Sequence, residues 1–135
     1  MKQSLPAIIA ISTVPCEHLA PNIEQKYMAH LPIGIFPLPT AVEHFGNASC
    51  EAEQEYDNGY YSEKTVLQFT TTDEIDNATP IAFVITDANG QSYIIGTKEA
   101  PFPMVEITRQ VDKETNIYSV KVTFHKRKSL IPCTI

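Results

Sequence analysis

Residues 80–103 read PIAFVITDANGQSYIIGTKEAPFP, and this stretch decides the fold. Ile81–Thr86 and Tyr93–Ile95 are apolar and rich in β-branched side chains, which suit a pleated, buried surface. Asn89-Gly90 lies between them, the pair that best tolerates the positive φ angles of a two-residue type I′ turn. That loop predicts pairing of Ala88 with Gln91, Thr86 with Tyr93, Ile85 with Ile94, Val84 with Ile95 and Phe83 with Gly96. Both faces of the ribbon are then apolar, so the sequence predicts a central hairpin covered on two sides. Pro101 and Pro103 cannot donate to a ladder and end the pairing.

Outward from this hairpin the same grammar repeats. Ala48–Asp57 and Tyr60–Thr71 flank Asn58-Gly59. A two-residue loop there pairs Tyr56 with Tyr61, Glu53 with Lys64, Ala52 with Thr65 and Cys50 with Leu67. Cys50, Ala52, Tyr56, Tyr61, Leu67 and Phe69 then share one face, and Glu51, Glu53 and Glu55 the other. A three-residue loop would set Glu53 against Glu63, and the repulsion disfavours it. Met104–Val111 and Ile117–Lys126 form a third hairpin. A tight turn at Glu114-Thr115 pairs Val111 with Tyr118, Ile107 with Val122 and Val105 with Phe124; a wider loop over 112–116 is the alternative, because Glu-Thr is poor turn material.

The N-terminal half is less regular. Leu5–Val14 reads as a buried strand ended by Pro15. Residues 22–30 read as a short helix, with Asn22 and Gln25 in a capping-box pattern and Ile23 and Tyr27 on one face. Thr40–Glu43 repeats the capping pattern, with Gly46 as the residue that ends one or two helical turns. Residues 71–79 read as a polar connection. The tail, 129–135, is apolar enough to pack. The expected architecture is a single all-β domain, 1–135, an antiparallel sandwich or barrel of about seven or eight strands with one or two short helices in its first half.

Composition narrows the function classes. A net charge of −6 argues against binding nucleic acid by charge, and the cluster His125–Lys128 lacks interleaved aromatics. Residues 1–79 carry net −8 and residues 80–135 net +2. That asymmetry either favours head-to-tail association or is ordinary solubilising charge, the plainer reading. No apolar run reaches the roughly 18 residues of a membrane helix. Lys2 followed by Leu5–Val14 imitates a signal peptide, but Pro6 interrupts it and 14–16 lacks a small residue before a cleavage point. A cytoplasmic protein with reduced thiols is expected.

Cys16, Cys50 and Cys133 form no CxxC pair, and Cys16-Glu17-His18 has no partners at ligand spacing, so no metal or cofactor is expected. Cys50 with His44 or His125 would make a Cys-His hydrolase, but Cys50 falls on the expected core face. Glu51, Glu53 and Glu55 read as solvent-facing charge on an edge rather than as paired acid catalysts. No catalytic residue is assigned. The remaining candidate is an arm, 30–39, with three prolines and the apolar side chains Leu31, Ile33, Ile35, Phe36 and Leu38. The prolines bar it from a sheet interior. It either covers its own core or reaches a neighbouring subunit.

The run FVITDANGQSYIIGTKEAPFP resembles small proteins encoded among the structural genes of tailed phages and prophages. Thr86, Asp87, Asn89, Gly90, Tyr93, Gly96, Thr97 and Pro101 carry the resemblance. It covers the second half of the chain and implies a virion assembly or tail-associated component that associates with itself or with other assembly proteins, in the cytoplasm or the virion. A small monomeric β-rich ligand-binding module is the alternative, with a Cys- or carboxylate-dependent hydrolase behind it.

Overall fold

A computed structural model describes residues 2–30, 40–57, 59–75, 78–99, 102–112, 115–126 and 129–133. The deciding stretch forms the hairpin β6 (Ile81–Asp87) and β7 (Ser92–Ile95). Its register differs by one residue from the expected one: Phe83 pairs with Ile95, Val84 with Ile94, Ile85 with Tyr93 and Thr86 with Ser92. Asp87 is the cause. Its buried carboxylate accepts the N–H groups of Asn89 at 2.9 Å and Gln91 at 3.1 Å. Its carbonyl accepts the N–H of Gly90, and its own N–H donates to the carbonyl of Gln91, each at 3.0 Å. The loop is therefore Ala88-Asn89-Gly90, with Gly90 at φ +83° as the third loop residue. A one-residue slip moves every side chain of β7 to the other face. Ile95 and Tyr93 join Phe83 and Ile85, and Ile94 joins Val84.

The described residues build an all-β, sandwich-like fold of two antiparallel five-stranded sheets. The first has the order β1-β4-β5-β9-β8, from Lys2–Ser4, His44–Asp57, Tyr60–Thr71, Thr115–Lys126 and Met104–Asp112. The second has the order β10-β7-β6-β2-β3, with β10 at Ile131–Cys133, β2 at Ile8–Pro15 and β3 at Thr40–Val42. Between the sheets lie Cys50, Leu67, Phe69, Phe83, Ile85, Ile95, Val122 and Phe124, all buried. Phe69 and Phe83 meet edge-on across the gap with ring centres 6.2 Å apart. The outer face of the second sheet is also apolar: Val14, Ala82, Val84 and Ile94. It is covered by Leu19 and by Ile23 of helix α1 (Ile23–Met28). Full burial of each large side chain contributes about 1.5–3 kcal/mol. This explains why β6 is apolar on both faces, as its sequence predicts.

Prolines and bulges reshape the first half. Of the stretch Leu5–Val14, residues 8–14 form one strand, β2, which runs on to Pro15, while residues 5–7 lie outside it. Pro6 falls in the break between β1, which pairs with β4 in one sheet, and β2, which pairs with β6 and β3 in the other. Thr40–Val42 is the edge strand β3, not a helix start; Val42 is buried opposite Ile11. A cap contributes about 1 kcal/mol, less than burying a valine side chain and pairing a strand. Gly46, at φ +71°, lies where the β4 register shifts between Phe45 and Ser49, and so marks a bulge rather than a helix end. Helix α1 forms with Ile23 buried and Tyr27 packed beside it, as expected. Asn22 does not cap it: it sits at φ 58°, and its N–H donates to the Glu99 carboxylate at 3.2–3.3 Å.

The β4–β5 register is the expected one, with Cys50 opposite Leu67 and Tyr56 opposite Tyr61. In β8–β9, Val105 meets Val122 and Ile107 meets Val120, two residues from expectation. A two-residue displacement keeps each side chain on its face, so the core is unaffected. The tail packs as β10 against β7. Glu51 and Glu53 do not blunt an edge, because β1 pairs along that stretch of β4.

Candidate functional site

The two longest strands outrun their neighbours. Among the described residues, pairing of β1 with β4 reaches Glu53 and pairing of β9 with β5 reaches Glu63. Residues 54–57 and 60–62 pair with each other, with no other described strand beside them, as a two-stranded overhang at one end of the first sheet. On its inner side Tyr56 and Tyr61 continue the core face beyond the core. They are 64% and 62% exposed, with ring centres 4.8 Å apart and planes tilted by 52°. On its outer side Tyr60 is 77% exposed.

The root of the overhang is pinned on both sides. Inside, one oxygen of Glu63 accepts the N–H groups of Leu130 at 2.8 Å and Ser129 at 3.1 Å, and Thr65 Oγ1 meets the Ser129 hydroxyl at 2.6 Å. Outside, His125 Nε2 lies 2.9 Å from Ser62 Oγ and 3.3 Å from Glu55 Oε2. Serine, histidine and carboxylate together suggest a hydrolytic triad, but the geometry is wrong for one. A relay needs the hydroxyl and the acid on different ring nitrogens, and here both meet Nε2. The cluster ties the hairpin to β9.

The other sequence candidates are dispersed. Cys50 is buried between the sheets, and burial, with Glu51 and Glu63 adding to it, pushes its thiol up to about 12. Burial likewise raises Cys133 to about 11 and Cys16 to about 11, a backbone hydrogen bond from Thr97 opposing it at Cys16. Thiols held protonated are poor nucleophiles. Cys16 points inward while His18 is exposed beside Glu17. Among the described residues no three His, Cys, Asp or Glu side chains group as metal ligands. The basic cluster is split: Lys126 donates to Thr97 Oγ1 at 3.0 Å, while His125 lies on the outer face. The arm residues Leu31, Ile33, Ile35, Phe36 and Leu38 lie outside the described residues. No described helix is long and apolar enough to cross a membrane.

A groove among the described residues has room for a small molecule. It encloses about 590 Å³ beside β3, between Thr13, Ala41 and Ile81 on one side and Asp73 and Ile75 on the other. The Asp73 carboxylate is already engaged by the N–H of Glu43 at 2.9 Å.

The sequence placed Tyr56 and Tyr61 on the core face but missed their exposure. The available signal was the length of the two flanking strands against the shorter stretches that could pair beside them. No family model, curated protein or solved structure matches the chain.

Proposed function

We propose that the protein is a non-enzymatic structural protein that works by self-association, as a component of a larger assembly such as the tailed-phage resemblance implies. The tyrosine-bearing overhang supports this reading most directly. A solvent-facing pair of tyrosines in ring contact on a pinned ribbon is costly to leave in water and suits a contact. Tyrosine is enriched at interfaces because it buries a large area at small entropic cost. Charge favours a second copy as the occupant. The chain is uneven, net −8 over residues 1–79 and net +2 over residues 80–135, which suits head-to-tail contact between copies.

Light scattering across a concentration series tests it. The wild type is expected at a multiple of 15.1 kDa. Tyr56→Ser with Tyr61→Ser is expected to lower that mass without lowering the melting temperature. A wild type that stays monomeric at every concentration refutes the proposal. The groove beside β3 favours the second reading, a monomeric ligand-binding module. That reading expects a monomer whose melting temperature rises with a small-molecule ligand.

A further inference from the structure

We infer that two copies join through β8, edge to edge, into one continuous ten-stranded sheet. This rests on the self-association proposed above and specifies its interface. Strand β8 ends the first sheet. All nine of its residues pair with β9, and no other described strand lies along its free side. Nine residues span roughly 30 Å. Exposed edges of that length are usually blunted by proline, by charged side chains, by a bulge or by a covering element. β8 contains no proline and no lysine, and its register with β9 runs without a shift. Its charged residues Glu106, Arg109 and Asp112 do not bar a second copy but limit the register in which one can pair.

Symmetry limits how such an edge can pair with itself. A two-fold axis normal to the sheet makes the pairing antiparallel, and paired residues must share a face. Full overlap satisfies this. It sets Thr108 against Thr108 and Glu106 against Gln110 on the outer face, and it pairs the strand's ends, residues 104 and 112. On the inner face it sets Ile107 against Arg109 and Val105 against Val111. No like charges face each other, and Val111, which is 64% exposed, acquires an apolar partner. Sliding two residues one way puts Arg109 against Arg109, a repulsive pair. Sliding two residues the other way puts Pro103, which cannot donate, against Val111. The full overlap is the register the strand specifies.

The consequence reaches the overhang. Because the two sheets run antiparallel across the axis, the tyrosine tips of the two copies lie at opposite ends of the joined sheet. A dimer closed at β8 is then bivalent, and head-to-tail contacts at the tips extend it into a chain.

Sedimentation velocity on the wild type, Thr108→Asp, Thr108→Lys and an equimolar mixture of the two variants is the test. Thr108 is exposed, so both variants are expected to keep the wild-type circular dichroism. Each alone sets like charges together at the axis and is expected to weaken dimerisation by about tenfold or more, and the mixture to restore it. Thr108→Cys provides an independent check, since directly opposed strand residues lie about 4.5–5.5 Å apart, within disulfide reach. The three native thiols are buried, so oxidised glutathione is expected to give a covalent dimer through residue 108. Variants that dimerise like the wild type, or a Thr108→Cys chain that stays uncrosslinked while the wild type dimerises, overturn the β8 interface and leave self-association standing. A wild type monomeric throughout overturns both.

Discussion

Replacing Gly96 by alanine is expected to be the most damaging small change in the molecule. Gly96 follows β7 at φ +136°, where side chains are rarely tolerated. A Cβ built there falls 2.5 Å from Ala82 Cβ, 2.9 Å from Ala82 Cα and 3.3 Å from Pro103 Cγ. Carbon atoms in contact prefer about 3.5–4.0 Å, so β6 would have to retreat by about 1 Å. Ala82 is fully buried at the centre of the second sheet, and its neighbours Phe83 and Val84 are packed on opposite faces. The backbone there has nowhere to go. Overpacking costs about 1–3 kcal/mol and the unfavourable φ a similar amount, which together give about 3–5 kcal/mol. That is a large part of a typical stability of about 5–15 kcal/mol. Gly90 provides the control. It also has positive φ, +83°, but a Cβ there meets nothing within 4 Å. Gly90→Ala is therefore expected to cost only strain, about 1–2 kcal/mol. Even Gly90→Val, which puts a β-branched side chain at positive φ, should cost less than Gly96→Ala. Urea unfolding followed by circular dichroism gives the three values. A loss at Gly96 smaller than at Gly90 would mean that Gly96 and Ala82 are not apposed, and the β6–β7 register would be wrong.

Asp87→Ala removes the acceptor for two N–H groups at a buried turn and is expected to cost about 2–3 kcal/mol in urea unfolding; Asp87→Asn, which keeps one oxygen, should lose less. The three buried thiols make stability fall at high pH. Burial holds them at about 11 to 12 in the folded chain, above the 9.0 of an exposed thiol, so above pH 9 the unfolded chain releases protons first. Their contribution is complete below pH 9 and is lost as pH rises through 11 to 12, by roughly 1 kcal/mol per thiol at pH 10. Urea midpoints at pH 8 and pH 10 in reductant check this, and a chain with all three cysteines changed to alanine should show a smaller drop between the two pH values.

The fold class was legible because hydrophobic alternation and turn residues are local properties. Asn58-Gly59 and the Glu53–Lys64 pair specify the register of β4 and β5, and the structure has that register. At Asn89-Gly90 the same rule gave a loop one residue too short. The Asn-Gly pair is equally good in both hairpins, but Asp87 precedes one of them with a side chain able to hold two backbone N–H groups. A local side-chain bond competing with the turn residues decides the outcome. The helix read at Thr40–Glu43 failed for the opposite reason. Its capping pattern is real, but Val42 gains more by lying against Ile11 than a one-turn helix could supply.

The site was less legible, because alternation reports which face a side chain occupies and not whether anything lies opposite. Tyr56 and Leu67 carry the same signal in the β4–β5 hairpin. One is exposed and the other fully buried because no described residue of β9 or β1 pairs alongside the first. Exposure thus depends on how far neighbouring strands reach, and contacts distant in sequence bear on that: Lys126 bonds to Thr97, and Ser129 and Leu130 to Glu63. The free edge of β8 has the same origin. The alternation in Met104–Asp112 resembles that of an interior strand; Arg109 on its inner face is the one sign of an edge, and the topology places it last among the described strands. The features that carry the functional proposals here, an overhang and an uncovered edge, are both places where the sheet stops. Interior sequences specify pairing and burial, so a chain that works by association keeps its contact surfaces at the positions where its own pairing runs out.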